Sequence, residues 1–68
     1  MHHPSILQHI KVRREELQVT QEVLAELSGV GLRTLKGIES GKANPTLETL
    51  IKILDVLGLE IKLGIKEI

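Results

Sequence analysis

Hydroxyl and glycine punctuation governs what this chain can fold into: Ser5, Thr20 and Thr46 each precede a run of helical hydrophobic period, and Gly29, Gly41 and Gly58 each follow one. A Ser or Thr oxygen accepts an N–H that the first turn of a helix leaves unpaired, and glycine adopts the left-handed conformation in which helices end. The chain up to residue 58 is therefore read as a series of short helices.

Ser5-Ile6-Leu7-Gln8 reads as a capping box. The first helix turns Ile6, Ile10 and Leu17 inward with Leu7 beside them, leaves Lys11, Arg13, Arg14 and Glu15 largely outside, and stops near Gln18. Thr20 caps a second helix with Gln21 and Glu22 in its first turn and Val23, Leu24 and Leu27 on its inward face; Ser28-Gly29 ends it. A third runs from about Gly31 to Glu39 with Leu35 and Ile38 inward, stops at Ser40-Gly41, and gives way to the loop Lys42-Ala43-Asn44-Pro45. Thr46 caps the fourth, in which Leu47, Leu50, Ile51, Leu54 and Leu57 follow the i, i+3, i+4, i+7 rule as far as Gly58. Residues 1–4 lack any period and are expected to be disordered.

From Leu59 the period drops to two: Leu59, Ile61, Leu63 and Ile65 alternate with Glu60, Lys62, Gly64 and Lys66, the pattern of a half-buried strand. No other segment alternates in this way, and a lone strand leaves its ladder unpaired. The expected partner is the same strand of a second copy, paired antiparallel about a two-fold axis in an isologous homodimer. A tail folded back on its own domain is the alternative; a loose one would leave its aliphatic side chains in water.

With 68 residues there is room for one small domain, and the absence of Phe, Trp, Tyr and Cys makes its core aliphatic. Disulfides, thiolate metal sites, haem and iron–sulfur ligation fall away, and single-stranded nucleic acid would find no aromatic platform. No apolar stretch follows basic residues at the N-terminus and no run approaches a membrane span, so a soluble cytosolic protein without a cofactor is expected. Nine Lys plus Arg balance nine Asp plus Glu. Their placement is uneven: Arg33, Lys36 and Lys42 stand against Glu39 alone between residues 31 and 42, while Glu15, Glu16, Glu22 and Glu26 lie in or before the second helix.

Two short helices joined by a glycine-containing turn have the layout of a helix-turn-helix. Ala25 is the small residue where the two helices cross, Gly29 the turn glycine, and Leu35 and Ile38 the inward anchors of the second. The outward positions of that helix are then Leu32, Arg33, Lys36, Gly37 and Ser40. The run Thr20-Gln21-Glu22-Val23-Leu24-Ala25-Glu26-Leu27-Ser28-Gly29-Val30, continued by Leu35, Ile38-Glu39-Ser40-Gly41-Lys42 and Asn44-Pro45-Thr46-Leu47-Glu48-Thr49-Leu50, closely resembles the Xre/Cro family of bacterial and phage repressors over about residues 6 to 58. The tail from Leu54 to Leu63 further resembles HipB-type antitoxins, in which such a strand completes the dimer.

The resemblance implies an all-α, lambda-repressor-like bundle of four to five helices with a C-terminal β-strand pairing across a homodimer. Residues 5–58 would form the DNA-binding domain and 59–68 the dimerising tail. Arg33 is expected to read a guanine, Lys36 a base or a phosphate, and Leu32 a thymine methyl, while Gly37 allows closer approach and Ser40 completes the base-reading set. Thr20, Gln21, Thr34, Lys42 and Asn44 would hold phosphates. Glu39 would pair with Arg14. Leu32 and Gly37 depart from the family's usual polar residues, and Gln18 stands where a glycine usually precedes the Thr-Gln pair.

Each sharp reading has a plainer rival. Glu39 could look catalytic, yet the ion pair is preferred because no nucleophile or second base is implied nearby. His2, His3 and His9 read as a terminal remnant rather than a metal site. Arg33 and Lys36 could be a merely solvated face, and the turn spacing weighs toward DNA. The expected function is a homodimeric repressor of a palindromic double-stranded operator, and by resemblance the antitoxin of a toxin–antitoxin operon that also holds a kinase-type toxin. A phage-type or restriction-modification control regulator and a protein-interaction adaptor on the same fold are the alternatives, and catalysis is remote.

Overall fold

The computed structural model describes residues 6–62 and 64. Four helices follow one another, α1 (Ile6–Glu16), α2 (Gln21–Ser28), α3 (Leu32–Glu39) and α4 (Leu47–Leu57), with no strand among the described residues. The Thr20 hydroxyl oxygen accepts the Val23 N–H at 3.1 Å and that of Thr46 accepts the Thr49 N–H at 3.1 Å, so both helices open on side-chain caps. Gly29 (φ 74°) and Gly58 (φ 71°) close them in the left-handed region. Helix α3 opens on Gly31 without a side-chain cap. The Ser5 cap expected for α1 lies outside the described residues, as do residues 1–4.

α1 ends at Glu16 rather than near Gln18, and the chain turns through bonds from Leu17 N–H to Arg13 O at 3.0 Å and Val19 N–H to Arg14 O at 3.1 Å. Gln18 occupies the left-handed region at φ 58° without being a glycine. Such a residue carries a steric penalty of about 1 kcal/mol between its Cβ and the following carbonyl.

The core is aliphatic: Ile10, Leu24, Ala25, Val30, Leu35, Ile38, Ile53, Leu54 and Leu57 are buried together. α2 packs on α3 and α4, and α1 packs on the same two helices. No buried side-chain polar atom among the described residues lacks a hydrogen-bond partner.

Several residues expected inside are not. Leu17, Val23 and Ile6 are exposed, as are Leu27 (63%) and Leu47 (62%). The inner stripe of α2 runs Gln21, Leu24, Ala25, Ser28, at i, i+3, i+4 and i+7, and includes two polar residues that form hydrogen bonds. Reading hydrophobic identity alone therefore rotated the helix. In α4 the inner stripe is Leu50, Ile53, Leu54, Leu57, with Ile53 wholly buried; Leu47 and Ile51 form a second, exposed apolar stripe. Arg13 and Arg14, expected largely outside, are partly buried.

Beyond Gly58 the Leu59 N–H closes back on Leu54 O at 2.9 Å, and the Leu59 side chain is half-buried against the core. Glu60, Ile61, Lys62 and Gly64 continue without ladder pairing among the described residues. Leu63 and residues 65–68, which complete the expected strand, lie outside the described residues.

Candidate nucleic-acid interface

Leu35 and Ile38 are both fully buried, which fixes the rotation of α3 about its axis. At 3.6 residues per turn, Arg33 and Lys36 then fall on the other side of the helix, and both are exposed, with Thr34 beside them and Ser40 at the end. Among the described residues the ion pairs are Arg13–Glu16, Arg14–Glu39 and Glu60–Lys62. Arg33, Lys36 and Lys42 therefore have no acidic partner among the described residues. Glu39, the acid closest to them in sequence among the described residues, is held by Arg14 and Gln21.

The hold on Glu39 is a network. Arg14 Nε donates to Glu39 Oε2 at 2.7 Å and Arg14 Nη2 donates to Oε1 at 2.9 Å, a bidentate pair whose side chains are 12% and 3% exposed. The third Arg14 nitrogen, Nη1, donates to the Val19 carbonyl at 2.8 Å, and Gln21 Nε2 donates to Glu39 Oε1 at 3.0 Å. The hydrogen bond to Glu39 raises the Arg14 pKa, against the opposing effect of burial. One carboxylate thus ties α1, the turn after it, the start of α2 and the end of α3, and sets α3 against the start of α2.

Helix α2 presents its N-terminus beside that network. The Thr20 side chain is engaged as the cap, and the Gln21 amide nitrogen is engaged by Glu39. Remaining first-turn amides have no acceptor inside their own helix, and the helix dipole makes that end partly positive. Gly29 and Ala25 meet in the turn, where the Gly29 N–H donates to Ala25 O at 3.0 Å.

Two positions expected on the outer face of α3 sit elsewhere. Leu32 is half-buried and packs against the core, because it lies three residues before Leu35 on the same stripe. Gly37 is half-buried, and a Cβ built on it would meet the Ala43 Cβ at 3.2 Å. The loop after α3 folds back onto it: Gly37 O accepts the Lys42 N–H at 2.9 Å and the Ala43 N–H at 3.1 Å. Lys42 and Asn44 are exposed on that loop. Ala43 reads in the sequence only as part of a loop and Arg13 only as an outer residue, yet Arg13 Nε donates to Leu57 O at 3.0 Å across the molecule. A small residue in a loop carries no signal of its own; only the missing side chain at 37 could have drawn attention to it.

A second surface lies on α4 and the chain after it. Leu47, Ile51, Leu54, Leu59 and Ile61, with Asp55 and Glu60 at the edge, line an open apolar groove of about 350 Å³ to which α3 contributes nothing. His9 is exposed on α1, and His2 and His3 lie outside the described residues. Among the described residues no helix is long and apolar enough to cross a membrane.

Comparison with known proteins agrees with this arrangement. The Helix-turn-helix family model matches residues 10–63. An uncharacterized HTH-type transcriptional regulator of Haemophilus influenzae is 39% identical over 54 residues, 79% of this chain and 55% of that protein. The cryptic phage CTXphi transcriptional repressor RstR of Vibrio cholerae is 36% identical over 56 residues, 82% of this chain and 50% of that protein. The chain thus spans about half the length of these two curated relatives. Among solved structures, the restriction-modification controller protein C.AhdI of Aeromonas hydrophila is similar at 31% identity and a TM-score of 0.76, over 79% of this chain and 82% of that one.

Proposed function

The chain belongs to the helix-turn-helix family, and from that premise we propose that it is a sequence-specific double-stranded DNA-binding transcriptional repressor acting as a homodimer. The observation that carries the reading is the exposed trio Arg33, Lys36 and Lys42 on α3 and the loop after it, without an acidic partner among the described residues, on a helix seated by the buried Leu35 and Ile38 and by the Arg14–Glu39 clamp. Arg33 is the base reader and Lys36 reads a base or a phosphate from the same face. The N-terminus of α2 receives a phosphate on backbone amides, with Lys42 and Asn44 gripping the backbone further along and Thr34 beside them. Gln21, whose amide nitrogen is given to Glu39, serves by holding α2 and α3 together as much as by touching phosphate. Ser40, whose hydroxyl donates to Gly37 O at 3.0 Å, marks the end of the reading face.

With few cations per copy, useful occupancy requires two copies, whose recognition helices would reach half-sites about 34 Å apart on one face of a palindrome. The exposed α4 stripe and the groove it forms with Leu59 and Ile61 support that dimer, with the alternating tail pairing across it. The bound dimer represses by excluding polymerase from its promoter. Two narrower settings are distinguished by the adjacent reading frame. A kinase-type toxin gene supports the antitoxin role suggested by the tail, and a restriction enzyme gene supports a control regulator like the A. hydrophila protein.

The test is binding to a library of duplexes and to the DNA upstream of the gene at two salt concentrations. A preferred palindrome, with affinity falling as salt rises, is expected. Replacing Arg33 with Ala is expected to relax preference at one base pair by about 1–3 kcal/mol, whereas Lys42→Ala weakens binding evenly across sequences. Absence of any sequence preference at low salt would refute the reading.

A further inference from the structure

Gly37 faces the recognition-helix side in sequence, yet the direction its side chain would take is filled by this chain's own loop. A Cβ there would meet the Ala43 Cβ at 3.2 Å, tighter than ordinary contact. The Gly37 carbonyl gathers three donors, the Lys42 N–H at 2.9 Å, the Ala43 N–H at 3.1 Å and the Ser40 hydroxyl at 3.0 Å. Glycine within a helix is unfavourable relative to alanine, and Gly37 lies in the last turn of α3. Gly41, at φ 79°, turns the chain back at the end of α3, and the missing Cβ of Gly37 leaves the room that Ala43 takes up.

We propose that Gly37, with Ala43, is a positioning residue for DNA recognition: the pair lets the Lys42–Asn44 loop lie against α3 and so sets the spacing between the base-reading side chains and the phosphate-gripping ones. The proposal rests on the DNA-binding reading above. Arg33 and Lys36 ride on the helix, while Lys42 and Asn44 ride on the loop that hydrogen-bonds to Gly37. Both sets must meet one rigid duplex at the same time, and recognition geometries tolerate displacements of only about 0.5 Å. A methyl group at 37 forces the loop to give by a few tenths of an ångström, and removing the methyl at 43 returns the space.

The experiment uses the whole chain as Gly37→Ala, as Ala43→Gly and as the double variant. Amide hydrogen exchange is read on the free protein at Lys42 and Ala43, and affinity is read on the preferred duplex and on a scrambled one. Gly37→Ala is expected to speed exchange at those two amides while helicity holds, and to lower affinity for the preferred duplex by on the order of tenfold. Binding to the scrambled duplex changes less, and the double variant recovers both readouts. In a chain already lacking the Lys42 and Asn44 side chains, Gly37→Ala should have little further effect. Unchanged exchange in Gly37→Ala, unchanged affinity, or no recovery in the double variant overturns the proposal while leaving the DNA-binding reading intact. A parent chain with no preferred duplex overturns both.

Discussion

Glu39 combines near-complete burial with three hydrogen bonds, two from Arg14 and one from Gln21, so its carboxylate is tolerable only while Arg14 stays in place. Removing one partner of a buried pair strands the other charge. Arg14→Ala is expected to cost about 3–5 kcal/mol in urea unfolding, whereas replacing both residues with Met and Leu should cost much less than either single change. Gln18 offers the opposite opportunity. Its φ of 58° is one a glycine would adopt without strain, and Gln18→Gly should raise the unfolding free energy by about 1 kcal/mol in the same assay. Arg33 and Lys36 were legible in the sequence because their position follows by counting from two large aliphatic residues. Leu32 and Gly37 sit elsewhere for different reasons: Leu32 lies three residues before Leu35 on the stripe that meets the core, whereas the loop contact of Gly37 leaves no mark in the helix's own pattern.

The helices themselves were legible from their ends, since Thr20, Gly29, Thr46 and Gly58 act at the termini they occupy. Thr20→Ala and Thr46→Ala should each lower stability by about 1 kcal/mol, measured by thermal or urea unfolding, because each strands a first-turn N–H. Gly31→Ser on α3 should gain only a few tenths of a kcal/mol, since glycine is already a fair cap and the new Cβ would meet nothing nearer than Thr34 Oγ1 at 3.9 Å. Rotation of the helices was less legible than their limits. In α2 the inner stripe is half polar, so hydropathy points to Val23 and Leu27, which face water. In α4 two adjacent stripes are apolar, and periodicity alone does not say which one meets the core; Ile53 decides it by filling a site wholly closed to solvent.

At the scale of the molecule, the outer stripe of α4 is the surface on which a second copy would act. Ile51 is 46% exposed in the single chain, so Ile51→Lys should leave its stability within about 0.5 kcal/mol while disrupting a dimer built on that groove. Sedimentation is expected to show a monomer at concentrations where the parent chain is paired, with operator affinity falling in step; truncation after Gly58 separates the contribution of the tail from that of α4. The bond from Arg13 to Leu57 carries a different consequence. It joins residues 44 positions apart, and Ile53, Leu54 and Leu57 from the last helix lie in the same core as Ile10 from the first. A ribosome that has released α1, α2 and α3 has still not supplied what closes them, so the nascent chain gains its full fold only once residue 57 has emerged, and the four helices become ordered as one unit.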